Sequence, residues 1–382
     1  MTVGYRHLYL HVPFCARRCS YCDFSIAVGR VVPWRAFADS VDEELALRHA
    51  RMECAPLDTL YLGGGTPSRL GAEGVAALFE VLKRHVEWTP NAEVTLEANP
   101  EDITPDAVAA WRAAGVNRLS IGVQSFDDAV LTWMHRVHDA KAAARAVSVA
   151  RNGGLEAFSL DLIFAVPEHL KRDWDRDLDQ ALALAPDHIS LYGLTVEPHT
   201  PLGRWHARGE VTEAPEDRYE QEFLAANQRL RGAGYEHYEV SNFAQPGKRA
   251  RHNSAYWRGV PYLGVGPSAH GFDGVTRRWN VEAHAAWRTE LKAGRDPRGG
   301  DEVLTGENRA AESVYLGLRT RDGLRLESSM AVEKIRPWVE EGWVEWCASE
   351  GESVSEKRIR CTPMGWLRLD AMAADLTAIR SH

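Results

Sequence analysis

Three cysteines fall within eight positions near the start of the chain: Cys15, Cys19 and Cys22, in the run Cys-Ala-Arg-Arg-Cys-Ser-Tyr-Cys. Thiolates are soft ligands that select zinc or iron–sulfur chemistry. Spacing alone leaves three options. An iron–sulfur cube takes one cysteine per iron, so three cysteines leave one iron open. Zinc takes a closed set of four ligands, with His11 as the fourth. A redox dithiol would use Cys19 and Cys22 and leave Cys15 unexplained. Arg6, Arg17 and Arg18 lie close by, and positive charge favours the thiolate. The other cysteines, Cys54, Cys347 and Cys361, are isolated and read as small packing residues. Cys347 and Cys361 flank an expected hairpin and are candidates to face each other.

A loop of this kind needs a rigid element before it. Leu8 to Val12 has the alternation of a short strand. Five more strand patterns follow: Asp58–Leu62, Ala92–Glu97, Val116–Val123, Leu155–Phe164 and Ile189–Thr195. Helical patterns separate them at Trp34–Ala50, Ala72–His85, Asp106–Ala114, Ala140–Asn152 and Trp174–Leu184. Six strand–helix units without hairpins imply an α/β fold with a parallel sheet. Eight units would close a full barrel, so six point to a partial one, (β/α)6. The chemistry-bearing residues recur at one place in each unit. Cys15 follows the first strand and Gly63-Gly64-Gly65-Thr66 the second. Glu97 ends the third, Gln124 the fourth, and Asp161 lies late in the fifth. Parallel barrels bind ligands at the carboxyl ends of their strands, so these residues are expected on one rim.

The rhythm breaks after about residue 200. A helix is expected over Glu216–Gly232, then the runs Tyr235-Glu-His-Tyr-Glu-Val-Ser-Asn and Arg251-His-Asn-Ser-Ala-Tyr-Trp257. Gly264 to His270 reads as a glycine-rich loop, and Arg295 to Asp301 as a linker. The last 80 or so residues read as helix, helix, hairpin (Trp343–Cys347 against Lys357–Cys361) and helix, a small winged-helix-like α+β module. The expected organisation is 1–235 partial barrel, 236–300 connecting segment and 301–382 C-terminal module.

The chain has 382 residues, with 45 basic against 54 acidic and a net charge of −9. That balance argues against a nucleic-acid backbone binder. No apolar run reaches the length of a membrane span, and the first residues lack a secretory pattern. A cytoplasmic location is expected, with peripheral membrane contact left open.

The cysteine run, with an aromatic before its last cysteine, resembles the signature of the radical S-adenosylmethionine (SAM) superfamily. The resemblance implies a [4Fe-4S] cluster on Cys15, Cys19 and Cys22, with the open iron chelated by SAM. It also implies cleavage of SAM to a deoxyadenosyl radical. The rest of the rim is similar to the coproporphyrinogen III oxidase-like branch, along nearly the whole chain. On that resemblance Tyr9 and Tyr21 contact SAM near the cluster, and Gly64, Gly65 and Thr66 run beside its methionine part. Glu97 accepts from the SAM ammonium, Arg136 pairs with its carboxylate, and Gln124 and Asp161 bond the ribose and nearby atoms.

Three features point away from the oxidase of that branch. Its pattern has a fourth cysteine where this chain has Phe24. Only 14 residues precede Cys15, where the oxidase has a longer arm. His252-Asn-Ser-Ala-Tyr-Trp257 is similar to the His-Asn-x-x-Tyr-Trp motif of a sister group of heme chaperones. This resemblance implies heme as cargo, with His252 as its candidate ligand and His199 and His270 as the next histidines to consider. It implies delivery of heme to apoproteins, membrane-bound respiratory ones included, and an electron donor for the cluster. A homodimer is compatible with it. Coproporphyrinogen dehydrogenation and a radical reaction on heme are the alternatives. Anaerobically reconstituted protein is expected to hold about four irons and four sulfides per chain. Cys15→Ala, Cys19→Ala and Cys22→Ala should each abolish the cluster and Cys54→Ala should not. Stoichiometric zinc without iron–sulfur absorption would overturn this expectation.

Overall fold

In the computed structural model the described residues are 4–49, 54–326, 329–347 and 358–380. The chain forms two compact units, 1–219 with 261–302, and 220–260 with 303–382. The stretch 236–300 is therefore not one connecting piece, because 261–302 packs with the barrel and 236–260 with the C-terminal residues.

In the first unit β1 (Tyr5–Val12) leads into the cysteine loop. There β2 (Phe14–Cys15) and β3 (Ala27–Val28) form a two-residue parallel ladder. Then come α1 (Trp34–His49), β4 (Cys54–Gly64), α2 (Gly71–His85), β5 (Trp88–Ala98) and α3 (Pro105–Ala114). They are followed by β6 (Arg118–Gln124), α4 (Asp128–Trp133), α5 (Ala140–Asn152), β7 (Ala157–Phe164), α6 (Trp174–Ala183), β8 (His188–Gly193) and α7 (Pro201–Ala207). The six strands β1, β4, β5, β6, β7 and β8 pair in parallel in chain order, as the partial barrel requires. The helices start where a side chain can satisfy the first free N–H groups. Thr104, Asp127, Asp139 and Asp173 cap α3, α4, α5 and α6.

Alternation along the strands decides what faces where. One set, Leu8, Leu10, Leu60, Leu62, Leu96, Leu119, Ile121, Leu160 and Leu162, is sealed from solvent. The other set is polar: Thr59, Tyr61, Thr95, Glu97, Ser120, Ser159, Asp161 and Ser190. Parallel barrels ordinarily fill this inner face with branched aliphatics. Here it is a column of hydroxyls and carboxylates.

After α8 (Glu216–Gly232) the chain makes β9 (Glu236–Glu239), β10 (Asn242–Ala244) and α9 (Arg251–Trp257). It then returns to the first unit. The segment expected as a glycine-rich loop contains β11 (Leu263–Val265), which pairs in parallel with β1 on the side away from β4. Gly264 and Gly266 permit this, because a Cβ on either would strike the backbone oxygen of His270 or His11. Next come β12 (His270–Phe272), β13 (Thr276–Asn280), α10 (His284–Lys292) and β14 (Arg298–Val303). The expected linker at 295–301 thus lies largely in the sheet β12–β13–β14. The carboxylate of Glu44 on α1 fastens this segment. It accepts from Gly266 N–H (2.9 Å), Asn280 Nδ2 (2.8 Å), Trp287 Nε1 (2.9 Å) and Arg48 Nη2 (2.6 Å).

The rest of the second unit is α11 (Gly306–Arg319), β15 (Leu324–Arg325), α12 (Ser329–Glu340), β16 (Val344–Cys347), β17 (Arg358–Cys361), α13 (Pro363–Trp366) and α14 (Leu369–Arg380). The sheet β15–β17–β16 is antiparallel, which gives the winged-helix-like order. Cys347 stands opposite Arg358 and Cys361 opposite Val344, so the two cysteines do not face each other. Lys357 lies outside the described residues.

Both Glu44 oxygens are engaged, so removing the side chain takes the acceptor from Gly266 N–H and Trp287 Nε1 and leaves the buried Arg48 without its ion-pair partner. Glu44→Ala is expected to lower unfolding free energy by about 3–5 kcal/mol in a urea titration. A loss under about 1 kcal/mol would show that the network contributes nothing.

Candidate functional site

The rim predicted from the strand ends is a single cavity of about 480 Å3, within the range of small-molecule cofactor sites. Cys15, Cys19, Tyr21, Cys22, Gly64, Gly65, Thr66, Glu97, Gln124, Arg136 and Asp161 all line it. Tyr9 does not. Its hydroxyl meets His11 Nδ1 at 3.0 Å and its ring stacks on Tyr61.

Close backbone approach explains the glycine run. A Cβ on Gly65 would lie 2.6 Å from the Pro13 carbonyl, and one on Gly64 2.5 Å from the His11 ring. Gly64 also takes φ +109°, which side chains avoid. Gly65 N–H donates to Val12 O at 2.8 Å, locking the β4 end to the start of the cysteine loop. Thr66 Oγ1 then lies 3.3 Å from Cys15 Sγ.

Of the three arginines expected beside the thiols, Arg18 acts on Cys15 and Cys22, whereas Arg6 and Arg17 are engaged elsewhere. Arg6 pairs with Asp58 on the surface at 2.6 Å, and the Arg17 guanidinium donates to the Arg136 carbonyl. Burial pushes the Cys15 thiol up, and Cys22 up to about 11, with the neighbouring thiols adding to the rise. Arg18 and Arg136 oppose this for Cys15. Both nitrogens of His11 are engaged, by Tyr9 and by Ser25 O at 3.0 Å, so it is not a fourth zinc ligand.

Arg136 is the centre of the site. Nη1 donates to Cys19 Sγ (3.4 Å), and Nη2 to Asn99 Oδ1 (2.6 Å) and Gly122 O (2.8 Å). Its Nε–H is buried and has no hydrogen-bond partner among the described residues. Burial opposes its charge, but Tyr21, Cys19 and Glu101 hold its pKa above the ordinary value. His138 backs this wall, with Nε2 3.1 Å from Val123 O and Nδ1 3.3 Å from Glu101 Oε2. A side chain on Gly122 would crowd this wall, since a Cβ would lie 2.9 Å from Gln124 Nε2 and 3.2 Å from Arg136 Nη2. Asn99, Glu101 and Gly122 were not singled out from sequence. Asn99 and Gly122 were visible only as neighbours of Glu97 and Gln124 in their motifs.

Across the cavity, Glu97 accepts from Tyr61 OH (2.7 Å) and Gly64 N–H (3.0 Å). Ser120 Oγ donates to both carboxylate oxygens of Asp161 (3.1 and 2.9 Å). Burial raises Asp161 above the usual carboxylate range against its serine donors. Gln124 holds φ +68°, a strained conformation of the kind found at ligand sites.

His252 belongs to the second unit. It lies in helix α9 and is 1% exposed, with Nε2 2.8 Å from Tyr256 OH. Its ring nitrogen is already bonded inside the fold. His199 is exposed, and His270 stacks on Trp279.

The residues fit the implied group. Three thiols line the cavity together, Gly64 and Gly65 bring bare backbone up beside them, and the Arg136 Nε–H is buried without an acceptor among the described residues. Such a set suits a thiolate-held cluster beside a ligand carrying a carboxylate and an ammonium.

Burial raises the Glu97 pKa to about 7, with Asp161 adding to the rise, against Tyr61 and Gly64. The folded state thus holds this proton more tightly than the unfolded chain. Its stabilisation is complete below about pH 4.5 and is lost as pH rises through about 7. Glu97→Gln is therefore expected to gain stability relative to wild type between pH 5 and pH 8. The gain is on the order of 2 kcal/mol, each tenfold change in proton affinity being worth about 1.4 kcal/mol. A stability difference independent of pH in urea titrations would contradict the assignment.

Residues 9–181 match the radical SAM superfamily. The chain is 41% identical over 334 residues to the heme chaperone HemW of Mycobacterium tuberculosis, covering 86% of this chain and 85% of that one. It is 32% identical to the HemW of Bacillus subtilis, covering 83% and 84% of the two chains. With the HemW of Escherichia coli it shares 38% over 69% of each. The structure resembles the coproporphyrinogen III oxidase HemN of Escherichia coli, a radical SAM enzyme, with TM-score 0.80 and 22% identity. That likeness covers 98% of this chain and 90% of the other, and it shows the shared fold. The chain thus belongs to the radical SAM superfamily and, within it, to the family of the HemW heme chaperones.

Proposed function

We propose that this chain is a heme chaperone that holds an iron–sulfur cluster and SAM at the strand-end cavity and carries heme to apoproteins. The observation that carries this reading is its relation to named heme chaperones over more than four-fifths of its length. Phe24, where the oxidase pattern has a cysteine, supports the same choice.

Cys15, Cys19 and Cys22 hold the cluster as thiolates. A cluster with three cysteine ligands supplies single electrons and leaves one iron free to take a ligand's amino and carboxylate groups. The chain's own residues then bind and orient. Arg136 offers its free Nε–H to the carboxylate, and Glu97 accepts from the ammonium. Gly64 and Gly65 let the ligand lie against backbone, and Asp161 and Gln124 accept from and donate to its sugar. Tyr21 covers the thiol side. The partners on this reading are heme, heme-accepting apoproteins and an electron donor, with a homodimer compatible. The expected location is the cytoplasm, in contact with a membrane where the client is membrane-bound. Among the described residues no helix is long and apolar enough to cross a membrane.

Incubating reconstituted protein separately with heme and with coproporphyrinogen III separates the functions. Stable heme binding without decarboxylation supports the chaperone. Carbon dioxide release from coproporphyrinogen III with SAM turnover would replace it with the oxidase. Arg136→Ala should weaken SAM binding at least tenfold with iron content intact, because a charge-assisted bond is lost. Equal affinities by calorimetry under argon would remove Arg136 from the site.

A further inference from the structure

One histidine of the cavity makes no side-chain hydrogen bond among the described residues. His135 lines the cavity on the turn between α4 and α5, and neither of its ring nitrogens has a hydrogen-bond partner among the described residues. Its backbone is held at φ +60°, a conformation that non-glycine residues adopt rarely and that concentrates at ligand sites. The cysteine loop pins this turn on both sides. Ser20 N–H donates to Met134 O at 3.2 Å, and Arg17 donates to the Arg136 carbonyl. The ring meets the edge of Trp205 at 5.5 Å, and Trp205 in turn lies 6.0 Å from Trp133.

The exposed lining of the same cavity is mixed, with three apolar side chains beside Arg17 and Asp23. Phe24 is 62% exposed, Val137 52% and Tyr192 44%, and all three line the same cavity. Exposed apolar groups gathered around a cavity mark a surface that something covers. The cover must be flat and apolar, offer a metal to an imidazole nitrogen, and tolerate the nearby Arg17. A metalloporphyrin with carboxylate side chains meets each condition, since histidine is a common axial ligand of heme iron.

We propose that His135 is the axial nitrogen ligand of heme docked at the mouth of the cavity. The porphyrin lies against Phe24, Val137 and Trp205, and its carboxylates lie toward Arg17. This inference rests on the heme-carrier reading above and names its ligand. His252 is excluded as the ligand in this conformation by its burial and its bond to Tyr256.

The test is hemin titration of the full-length, reconstituted protein under argon, with His135→Gly and His135→Asn. Both replacements tolerate the left-handed backbone, so fold and iron–sulfur content should be retained. Wild type should show the absorption of nitrogen-ligated heme. Both variants should lose that signature and bind hemin at least tenfold more weakly, and added imidazole should restore the signature in His135→Gly. Metal-free protoporphyrin IX should bind wild type and His135→Gly alike, because the apolar rim is unchanged. Three outcomes would overturn the proposal: a wild-type heme spectrum in His135→Gly, equal loss of metal-free porphyrin, or loss of ligation in His252→Gln alone with iron–sulfur content intact. If wild type itself takes up no hemin, the carrier reading fails with it. Unchanged ligation in His135→Gly removes only this ligand.

Discussion

A cation that cannot shed its proton is buried beside three thiols, and the arrangement of the site follows from holding it there. A guanidinium stays charged at any ordinary pH, so burying Arg136 demands acceptors on several sides. Asn99 and Glu101 come from the turn after β5, Gly122 from β6, and Cys19 from the loop after β1. His138 steadies Glu101 from behind. No single element supplies this set. It exists only when neighbouring strands keep their order and register, so assembly of the site and closure of the sheet are one event. The buried Nε–H that remains has no acceptor among the described residues, and that is where a ligand's anionic group gains most.

The same constraint shapes the barrel interior. An aliphatic inner face would leave Glu97, Arg136 and Asp161 in a medium where charges are strongly penalised. Hydroxyls from Tyr61, Ser120, Ser159 and Ser190 line that face instead. Core stability is therefore carried by the outer alternation of leucines and isoleucines. The remaining demand is closeness, which Gly64, Gly65 and Gly122 meet by having no side chain.

Much of this was legible in the sequence. The period-2 runs placed all six barrel strands within a few residues, because a strand buried on its outer face must alternate. The cysteine spacing and the strand-end residues located the cavity. What was not legible depended on long-range partners. β11 was hidden because three residues, Leu263-Gly264-Val265, become a strand only when β1 offers an edge. The expectation for Arg6 and Arg17 failed because proximity in sequence says nothing of which acceptor an arginine reaches. His252 was marked by its motif, but a motif does not reveal that helix α9 turns the ring inward onto Tyr256. His135 stood in the His-Arg-Val-His run that marked Arg136, but was given no role of its own. Its signature is a backbone angle and an idle ring, and both appear only in three dimensions.

A carrier differs from an enzyme in what its ligand contacts must do: they must hold the cargo and then let it go. A histidine sealed in a helix, already bonded to a tyrosine, exchanges slowly because the helix has to open for each transfer. One imidazole at an exposed apolar mouth leaves the far face of a porphyrin free for a client's own ligand. The turn that bears His135 hangs from the cysteine loop through Ser20 and Arg17. The carbonyl that Arg17 bonds belongs to Arg136, whose side chain contacts Cys19. Under the proposed assignments, cofactor occupancy at Arg136 and cargo ligation at His135 are adjacent in the chain and share one set of hydrogen bonds. A movement of the cysteine loop is then felt at the heme ligand directly, which gives a chaperone a physical reason to keep a cofactor site intact.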